Sequence, residues 1–227
     1  MQKKTTVLLA EDDTQLAFII KDNLEEEGFL VINCPDGTTA WEEYQRIQPN
    51  ICLLDVNMPG KDGFSLAKKI RQKSDIVPIL FLTAKAMEED KLKGFENGAD
   101  DYITKPFSMK ELLSRMNVFI RRNKMLLHQP SEEYTIGSLK LKPGGNRLTV
   151  GGEEIGLTPK ETDLLEFFCA HPNTILKREE ILLHVWGKND HFLGRSMDVF
   201  ITRLRKLLKD QPVTIETIHQ LGYRLNV

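Results

Sequence analysis

The chain has 227 residues, a length that suits two ordinary domains better than one or three. Hydrophobic residues make up 41% and charged residues 28%, which excludes a disordered, collagen-like or low-complexity protein. The 31 basic and 33 acidic side chains leave a net charge of −2, so any DNA-binding face has to be local. Cys34, Cys52 and Cys169 are widely spaced with no CxxC pair, which suggests reduced, half-buried thiols, not a disulfide framework or zinc site. The apolar run Val7–Ala10 is too short for a signal-peptide core. No stretch approaches the ~18 apolar residues that span a bilayer, so a soluble, cytoplasmic protein is expected, with no membrane partner.

Residues 6–122 alternate short apolar runs with amphipathic ones. Strands are expected at Val7–Ala10, Leu30–Asn33, Ile51–Leu54, Ile79–Leu82 and Tyr102–Thr104, with helices between them, for example at Gln15–Glu27 and Glu88–Glu96. Five alternations of this kind predict a parallel sheet with helices on both faces, and the nearly all-apolar central runs suit buried parallel strands. A helix over Ser108–Arg122 closes the unit. Residues 123–133 lose the alternation, contain Pro130, and read as a linker. Beyond it come short strands separated by Pro143-Gly144-Gly145-Asn146 and Gly151-Gly152, a hairpin pattern. Three helices follow. Thr158-Pro159-Lys160-Glu161 supplies a capping box and a first-turn proline for the first, and the others span about Arg178–Val185 and Arg195–Lys209. Strands at Val213–Ile218 and Tyr223–Val227 end the chain.

Ligands of an open parallel sheet bind outside the carboxyl ends of its strands. Those ends carry Glu11-Asp12-Asp13, Asp55, Thr83-Ala84 and Lys105-Pro106. One acid after a strand is often a helix cap. Carboxylates, a hydroxyl and an ammonium converging on one crevice point instead to phosphoryl chemistry. Clustered carboxylates repel one another, and a hard cation such as Mg²⁺ offsets that through oxygen ligands. Asp55 is the best-placed acceptor of a phosphoryl group, Lys105 supplies a point charge to a phosphoryl oxygen, and Thr83 a hydroxyl. Counting back to the strand favours Glu11 and Asp12 as the metal-facing pair and leaves Asp13 to start a helix.

These motifs resemble the receiver domain of two-component response regulators: Leu-Leu-Ala-Glu-Asp-Asp, Leu-Leu-Asp55-Val-Asn-Met-Pro-Gly-Lys-Asp-Gly63, Phe-Leu-Thr83-Ala-Lys and Gly-Ala-Asp-Asp-Tyr102-Ile-Thr-Lys105-Pro-Phe. The resemblance implies a phosphoacceptor at Asp55, fed by a sensor histidine kinase. It also implies Mg²⁺ held by Glu11, Asp12, Asp55 and the backbone carbonyl of Asn57. Thr83 and Tyr102 would switch position on phosphorylation, as a population shift between two packings. Receivers of this class pair across a two-fold axis, which makes Lys91 with Glu111 and Asp101 with Arg115 the candidate contacts of a phosphorylation-dependent homodimer.

Within Arg195–Lys209 five basic residues accompany only Asp198, a local net of +4. On a helical wheel Met197, Phe200, Ile201, Leu204, Leu207 and Leu208 form a core arc. Arg195, Asp198, Thr202, Arg205, Lys206 and Lys209 lie opposite, with Ser196 and Arg203 toward one edge. Val199 interrupts the basic face, where it could touch a thymine methyl in a major groove. This half resembles the winged-helix effector domain of the OmpR/PhoB class through Leu157-Thr-Pro-Lys-Glu161, Arg178-Glu-Glu-Ile-Leu-Leu-His-Val-Trp186, Arg195-Ser-Met-Asp-Val-Phe-Ile-Thr-Arg-Leu-Arg205-Lys and Gly222-Tyr-Arg224. The implied DNA-contacting set is Arg195, Ser196, Asp198, Val199, Thr202, Arg203, Arg205, Lys206 and, on the wing, His219, where an arginine often stands. Double-stranded DNA with tandem or repeated half-sites is the implied partner, and RNA polymerase a further candidate.

The expected architecture is a five-stranded, doubly wound parallel α/β receiver (1–122), a linker (123–133) and an α+β winged helix-turn-helix domain (134–227). The expected function is a phosphorylation-activated, sequence-specific transcriptional regulator and not an enzyme. An aspartyl-phosphate hydrolase would want an acid two positions after the nucleophile, where this chain has Asn57. A DNA-binding regulator that has lost phosphorylation control is disfavoured by the intact acid pocket. Residues 1–122 carry 17 basic and 20 acidic side chains and the remainder 14 and 13, so the net of −2 conceals halves of −3 and +1.

Overall fold

The computed structural model describes residues 4–59, 62–74, 76–84, 98–125, 133–137, 139–187 and 191–227. The chain divides into two compact units, Met1–Lys124 and Met125–Val227. The expected helix at Glu88–Glu96 and most of the expected linker lie outside the described residues.

In the first unit β1 (Thr6–Ala10), β2 (Leu30–Cys34), β3 (Ile51–Asp55), β4 (Ile79–Ala84) and β5 (Asp101–Lys105) form one parallel sheet in the order β2-β1-β3-β4-β5. Each strand matches its expected run to within two residues at either end. The helices are α1 (Thr14–Glu26), α2 (Gly37–Ile47), α3 (Gly63–Lys73) and α4 (Met109–Met125). Asp13, Asp36 and Asp62 cap the first three by accepting backbone N–H groups of the first turn. The last helix runs three residues past its expected end at Arg122, so the segment read as linker begins inside it. Val7, Leu9, Leu53, Leu80, Leu82 and Ile103 pack with Ile20, Leu112, Met116 and Phe119 in a core from which water is excluded.

Two adjacent aspartates at the start of β5 fasten it to different helices. Asp100 is fully buried and receives Arg71 of α3 at 2.6 Å and the Ile79 amide at 2.8 Å. Arg71 also donates to the carbonyls of Gly98, Ser74 and Val77. Asp101 receives Arg115 of α4 at 2.6 Å.

The second unit opens with an antiparallel sheet of β6 (Tyr134–Ile136), β7 (Leu139–Leu141), β8 (Arg147–Val150) and β9 (Glu153–Gly156), whose last hairpin turns on the two residues Gly151-Gly152. Then come α5 (Pro159–Cys169), β10 (Leu176–Lys177), α6 (Arg178–Trp186), α7 (His191–Leu207) and the hairpin β11 (Thr214–Ile218) with β12 (Gly222–Asn226). The capping box of Thr158 and Glu161 forms as expected. The third helix starts four residues before its expected start at Arg195 and ends two before Lys209. β10 is too short to leave a periodic signal, yet it pairs with β12. Gly222 makes that possible, because a Cβ there would meet the Leu176 carbonyl oxygen. Met197, Phe200, Ile201, Leu204 and Leu208 are buried as the wheel requires, while Leu207 is half-buried. All three cysteines are buried, not half-buried, and burial pushes each thiol up to about 12, leaving little thiolate at neutral pH. Among the described residues no helix is long and apolar enough to cross a membrane.

Removing one partner of a buried charge pair leaves the other uncompensated, at a cost of about 3–5 kcal/mol. Asp100→Ala is therefore expected to lower stability by that amount and to accelerate amide exchange at Ile79–Leu82. Exchange unchanged from wild type would refute the clamp.

Candidate functional site

The strand order reverses between β1 and β3, which places the binding crevice beyond their carboxyl ends. Ala10 pairs with Leu54 across that junction, so the following residues, Glu11 and Asp55, reach the same end. Carboxylate oxygens of Glu11, Asp12 and Asp55 all lie within 4.8 Å of one another. Glu11 and Asp55 are buried, whereas Asp12 is exposed. Asp13 is turned away from the cluster, as expected of a helix-start carboxylate: its Oδ1 accepts the Gln15 and Leu16 amides.

Lys105, at the end of β5, reaches over the crevice. Its Nζ donates to Asp55 Oδ2 at 2.6 Å and to the two oxygens of Glu11 at 2.9 and 2.7 Å. Asp55 Oδ1 accepts the Asn57 amide at 3.0 Å. Burial pushes the Glu11 carboxyl up to about 7; the Lys105 hydrogen bond opposes that rise and the Asp55 charge adds to it. For Lys105, burial favours the neutral amine, but the bonds to Asp55 and Glu11 outweigh it and hold the ammonium above its usual pKa. Three carboxylates against one ammonium leave excess negative charge on an all-oxygen donor set, which suits a hard divalent cation.

Thr83 is buried on β4 opposite Thr104, one position before Lys105. Tyr102 is also buried, its ring centre 5.2 Å from that of Phe81. Lys91 lies outside the described residues. Asp101 and Arg115, expected to meet across a two-fold axis, are joined within one chain, and Arg115 also contacts Glu111 at 3.3 Å. The reason is geometric: Asp101 begins β5 beneath the second turn of α4, and both members of the pair are largely buried there.

In the second unit α7 carries the expected basic residues, but several are already engaged. Ser196 is 1% exposed, which removes it from the DNA-contacting set, because it falls on the core side of the edge that the wheel left undecided. Asp198 receives both terminal nitrogens of Arg178, at 2.7 and 3.0 Å, and the Tyr223 hydroxyl at 2.6 Å. Arg203 is half-buried and pairs with Glu161 at 3.3 Å. Arg205 donates to the Ile215 carbonyl and the Thr217 hydroxyl on β11. Thr202 and Lys206 are exposed, Val199 is half-buried, and His219 is exposed in the turn of the terminal hairpin. Arg195 belongs to α7, and its side chain lies outside what is described. Arg178 and Tyr223 were missed as members of this constellation. The signal for them was Asp198 itself, a lone acid on a basic helix that needs a partner.

Comparison with known proteins covers both units. Residues 7–117 match the response regulator receiver domain, and residues 152–225 match the C-terminal domain of transcriptional regulatory proteins. The chain is 42% identical to the transcriptional regulatory protein RprY of Bacteroides fragilis (strain YCH46), over 99% of this chain and 96% of the relative. It is 36% identical to the phosphate regulon transcriptional regulatory protein PhoB of Escherichia coli (strain K12), over 97% of each. Among solved structures it resembles a mutant of RitR (TM-score 0.74, 25% identity, 98% of this chain and 99% of the other). It also resembles DrrB of Thermotoga maritima, an OmpR/PhoB homologue (TM-score 0.51, 28% identity, 99% and 100%).

Gly63 opens α3 directly against the end of β3, where a Cβ would stand 2.2 Å from the Asp55 carbonyl oxygen. Backbone has to move to admit it. Gly63→Ala is expected to destabilise the first unit by about 1–3 kcal/mol and to shift the NMR resonances of Asp55 and Lys105. Wild-type stability and unmoved resonances would contradict this packing.

Proposed function

The chain belongs to the two-component response regulators of the OmpR/PhoB class, phosphorylation-dependent DNA-binding transcriptional regulators, and on that premise we propose that Asp55 takes the phosphoryl group in a pocket that holds Mg²⁺. The observation that carries the assignment is the Lys105 ammonium, bonded at once to Asp55 and Glu11 where the strand order reverses. Glu11, Asp12, Asp55 and the Asn57 backbone carbonyl are the ligands assigned to the ion. When bound, Mg²⁺ would neutralise charge on the carboxylates and on the incoming phosphoryl oxygens.

One Asp55 carboxylate oxygen attacks phosphorus in line, and the bond to the kinase's histidine nitrogen breaks as the new O–P bond forms. The imidazole leaves. Lys105 then pairs with a phosphoryl oxygen and Thr83 donates its hydroxyl to another, while Tyr102 belongs to the packing that changes with Thr83. Position 57 offers an amide and no acid, so turnover of an external phosphoester is not assigned and slow self-dephosphorylation is the limit.

We assign residues 1–122 to the phosphoacceptor domain, 123–133 to the connection and 134–227 to DNA binding. Phosphorylation favours a homodimer through Lys91, Asp101, Glu111 and Arg115, in which the intrachain bonds of Arg115 exchange for interchain ones. The Arg115–Glu111 pair is half-exposed on its acidic side and contributes only about 0–1 kcal/mol, and exchanging the buried Asp101 partner for an equivalent carboxylate from the second copy keeps Arg115 compensated throughout. Thr202, Lys206, Val199, His219 and Arg195 face DNA with tandem half-sites, and RNA polymerase is a partner once bound there.

Asp55→Asn is expected to take up no label from ³²P-acetyl phosphate with Mg²⁺, against near-stoichiometric labelling of wild type; full labelling of the variant would move the site elsewhere. The raised Glu11 pKa gives a second expectation. A carboxyl at about 7 when folded and 4.5 when unfolded stabilises the fold fully below 4.5 and loses that contribution as pH rises through 7. Above pH 7 Glu11 adds its charge to a carboxylate cluster that faces Lys105 alone, and a bound cation relieves the repulsion. Mg²⁺ should therefore raise Tm more at pH 8 than at pH 5.5. Equal shifts at both would contradict it.

A further inference from the structure

We propose that Arg178, Asp198 and Tyr223 form a clamp that presets the recognition helix against the wing, so that Asp198 is a positioning residue and not a DNA contact. The inference rests on the DNA-binding role of this unit and explains an oddity of α7, an acid on the face that should meet phosphates.

The three residues come from three elements. Arg178 is the first residue of α6, Asp198 lies in the middle of α7, and Tyr223 is on β12 of the terminal hairpin. Arg178 Nη1 donates to Asp198 Oδ1 at 2.7 Å and to the Tyr223 hydroxyl at 2.6 Å. Its Nη2 donates to Asp198 Oδ2 at 3.0 Å and to the Gly194 carbonyl at 2.9 Å. Tyr223 returns its own proton to Asp198 Oδ1 at 2.6 Å. The four N–H groups of the two terminal nitrogens are thus committed, leaving only Nε–H for anything else. A lysine could not reproduce this planar fork.

A second arginine pins the other end of the same helix. Arg205 donates to the Ile215 carbonyl at 2.8 Å and to the Thr217 hydroxyl at 2.6 Å, both on β11. The guanidinium carbons of Arg178 and Arg205 also lie 5.6 and 5.9 Å from the Tyr223 ring centre. Helix and hairpin are consequently fixed to each other at two points about two turns apart along α7. β10, joined directly to Arg178, pairs with β12 and closes the frame.

The Arg178–Asp198 pair is partly exposed, with side-chain exposures of 42% and 49%, so its energetic contribution to folding is small. Its effect lies in orientation. A helix held at a fixed angle to the wing enters the groove without first losing the freedom to rock, and that lost freedom would otherwise subtract from affinity. Bare electrostatics predicts the opposite consequence for Asp198: deleting a negative charge from a DNA-facing helix should tighten binding.

The test uses the full chain, treated with acetyl phosphate and Mg²⁺, and a duplex enriched on the wild-type protein from a randomised 30-base-pair pool. Binding is read by anisotropy across a salt series, with thermal melts as the folding control. Asp198→Asn, Tyr223→Phe and Arg178→Gln are each expected to bind about tenfold more weakly with melting close to wild type. Arg178→Gln should leave the slope of log affinity against log salt unchanged, since a lost phosphate contact would reduce it by about 0.9. Arg178→Gln/Asp198→Asn should be no weaker than the weaker single variant, because both break one device. The clamp is overturned if Asp198→Asn binds as tightly as wild type or tighter, if the double variant recovers wild-type affinity, or if the losses add. A wild-type chain that enriches no duplex would overturn the DNA-binding reading first, and the clamp with it.

Discussion

One ammonium organises the first unit. Lys105 neutralises two buried carboxylates that belong to different strands, Glu11 after β1 and Asp55 at the end of β3. Without it, the carboxyl ends of the sheet would hold uncompensated like charges in a space with little water, a cost of several kcal/mol for each ion. The arrangement is only partly compensated, however, because one positive charge faces three carboxylates. That residual imbalance suits the pocket to the ligands proposed for it, a cation on the carboxylates and a phosphoryl group on the lysine. A fully neutral site would be more stable and would have no reason to bind either. The burial that raises Glu11 toward neutrality is the stability sacrificed for this receptivity.

Elsewhere the chain solves a different problem with a recurrent device, an arginine from a helix that captures an aspartate on a neighbouring element. Arg71 with Asp100, Arg115 with Asp101 and Arg178 with Asp198 follow the same pattern at 2.6–2.7 Å. Burial decides what each accomplishes. Asp100 is sealed from solvent, so its arginine contributes chiefly to stability. Asp101 is nearly so, but its arginine is shared with the half-exposed Glu111 and can change partner. Asp198 is half-exposed, and its pair contributes direction more than energy. The adjacent positions of Asp100 and Asp101 follow from strand geometry, since consecutive residues point to opposite faces and therefore meet helices on opposite sides of the sheet.

The sequence was most informative where periodicity and position along a strand decide the outcome. All five parallel strands, the strand-end acids and the capping box at Thr158 could be read because each depends on a few consecutive residues. Counting register set Asp13 apart from Glu11 and Asp12, and Asp13 caps α1. What could not be read depends on partners distant in sequence. The wheel placed Ser196 on an edge, and packing, not periodicity, turned it inward. It placed Arg203 and Arg205 among residues available to DNA, though Glu161, Ile215 and Thr217 hold them within the unit. β10 is two residues long and exists only because Gly222 lets another backbone approach. Asp101 and Arg115, expected to meet between chains, are bonded within this one, because the sequence shows that charges match and not which copy supplies them.

The engagement of these arginines changes the meaning of the local charge on the recognition helix. A net of +4 over Arg195–Lys209 suggests a strong, salt-sensitive attraction to phosphates. Arg203 is compensated by Glu161, however, and Arg205 turns donors to the wing, although Arg178 from outside the helix offsets the one acid, Asp198. Arg205 is exposed but bonded to β11, so among the described residues of this segment the exposed cations with no such bond are Lys206 and, just past the helix end, Lys209. Fewer free cations mean fewer counterions released, so a smaller share of the affinity is sequence-independent. What is left has to come from the surface that the clamped helix presents, with Val199 and Thr202 on it. A reading head built this way loses non-specific grip and gains dependence on shape, which is the balance a regulator needs when its own phosphorylation, not its charge, is meant to decide whether it occupies DNA.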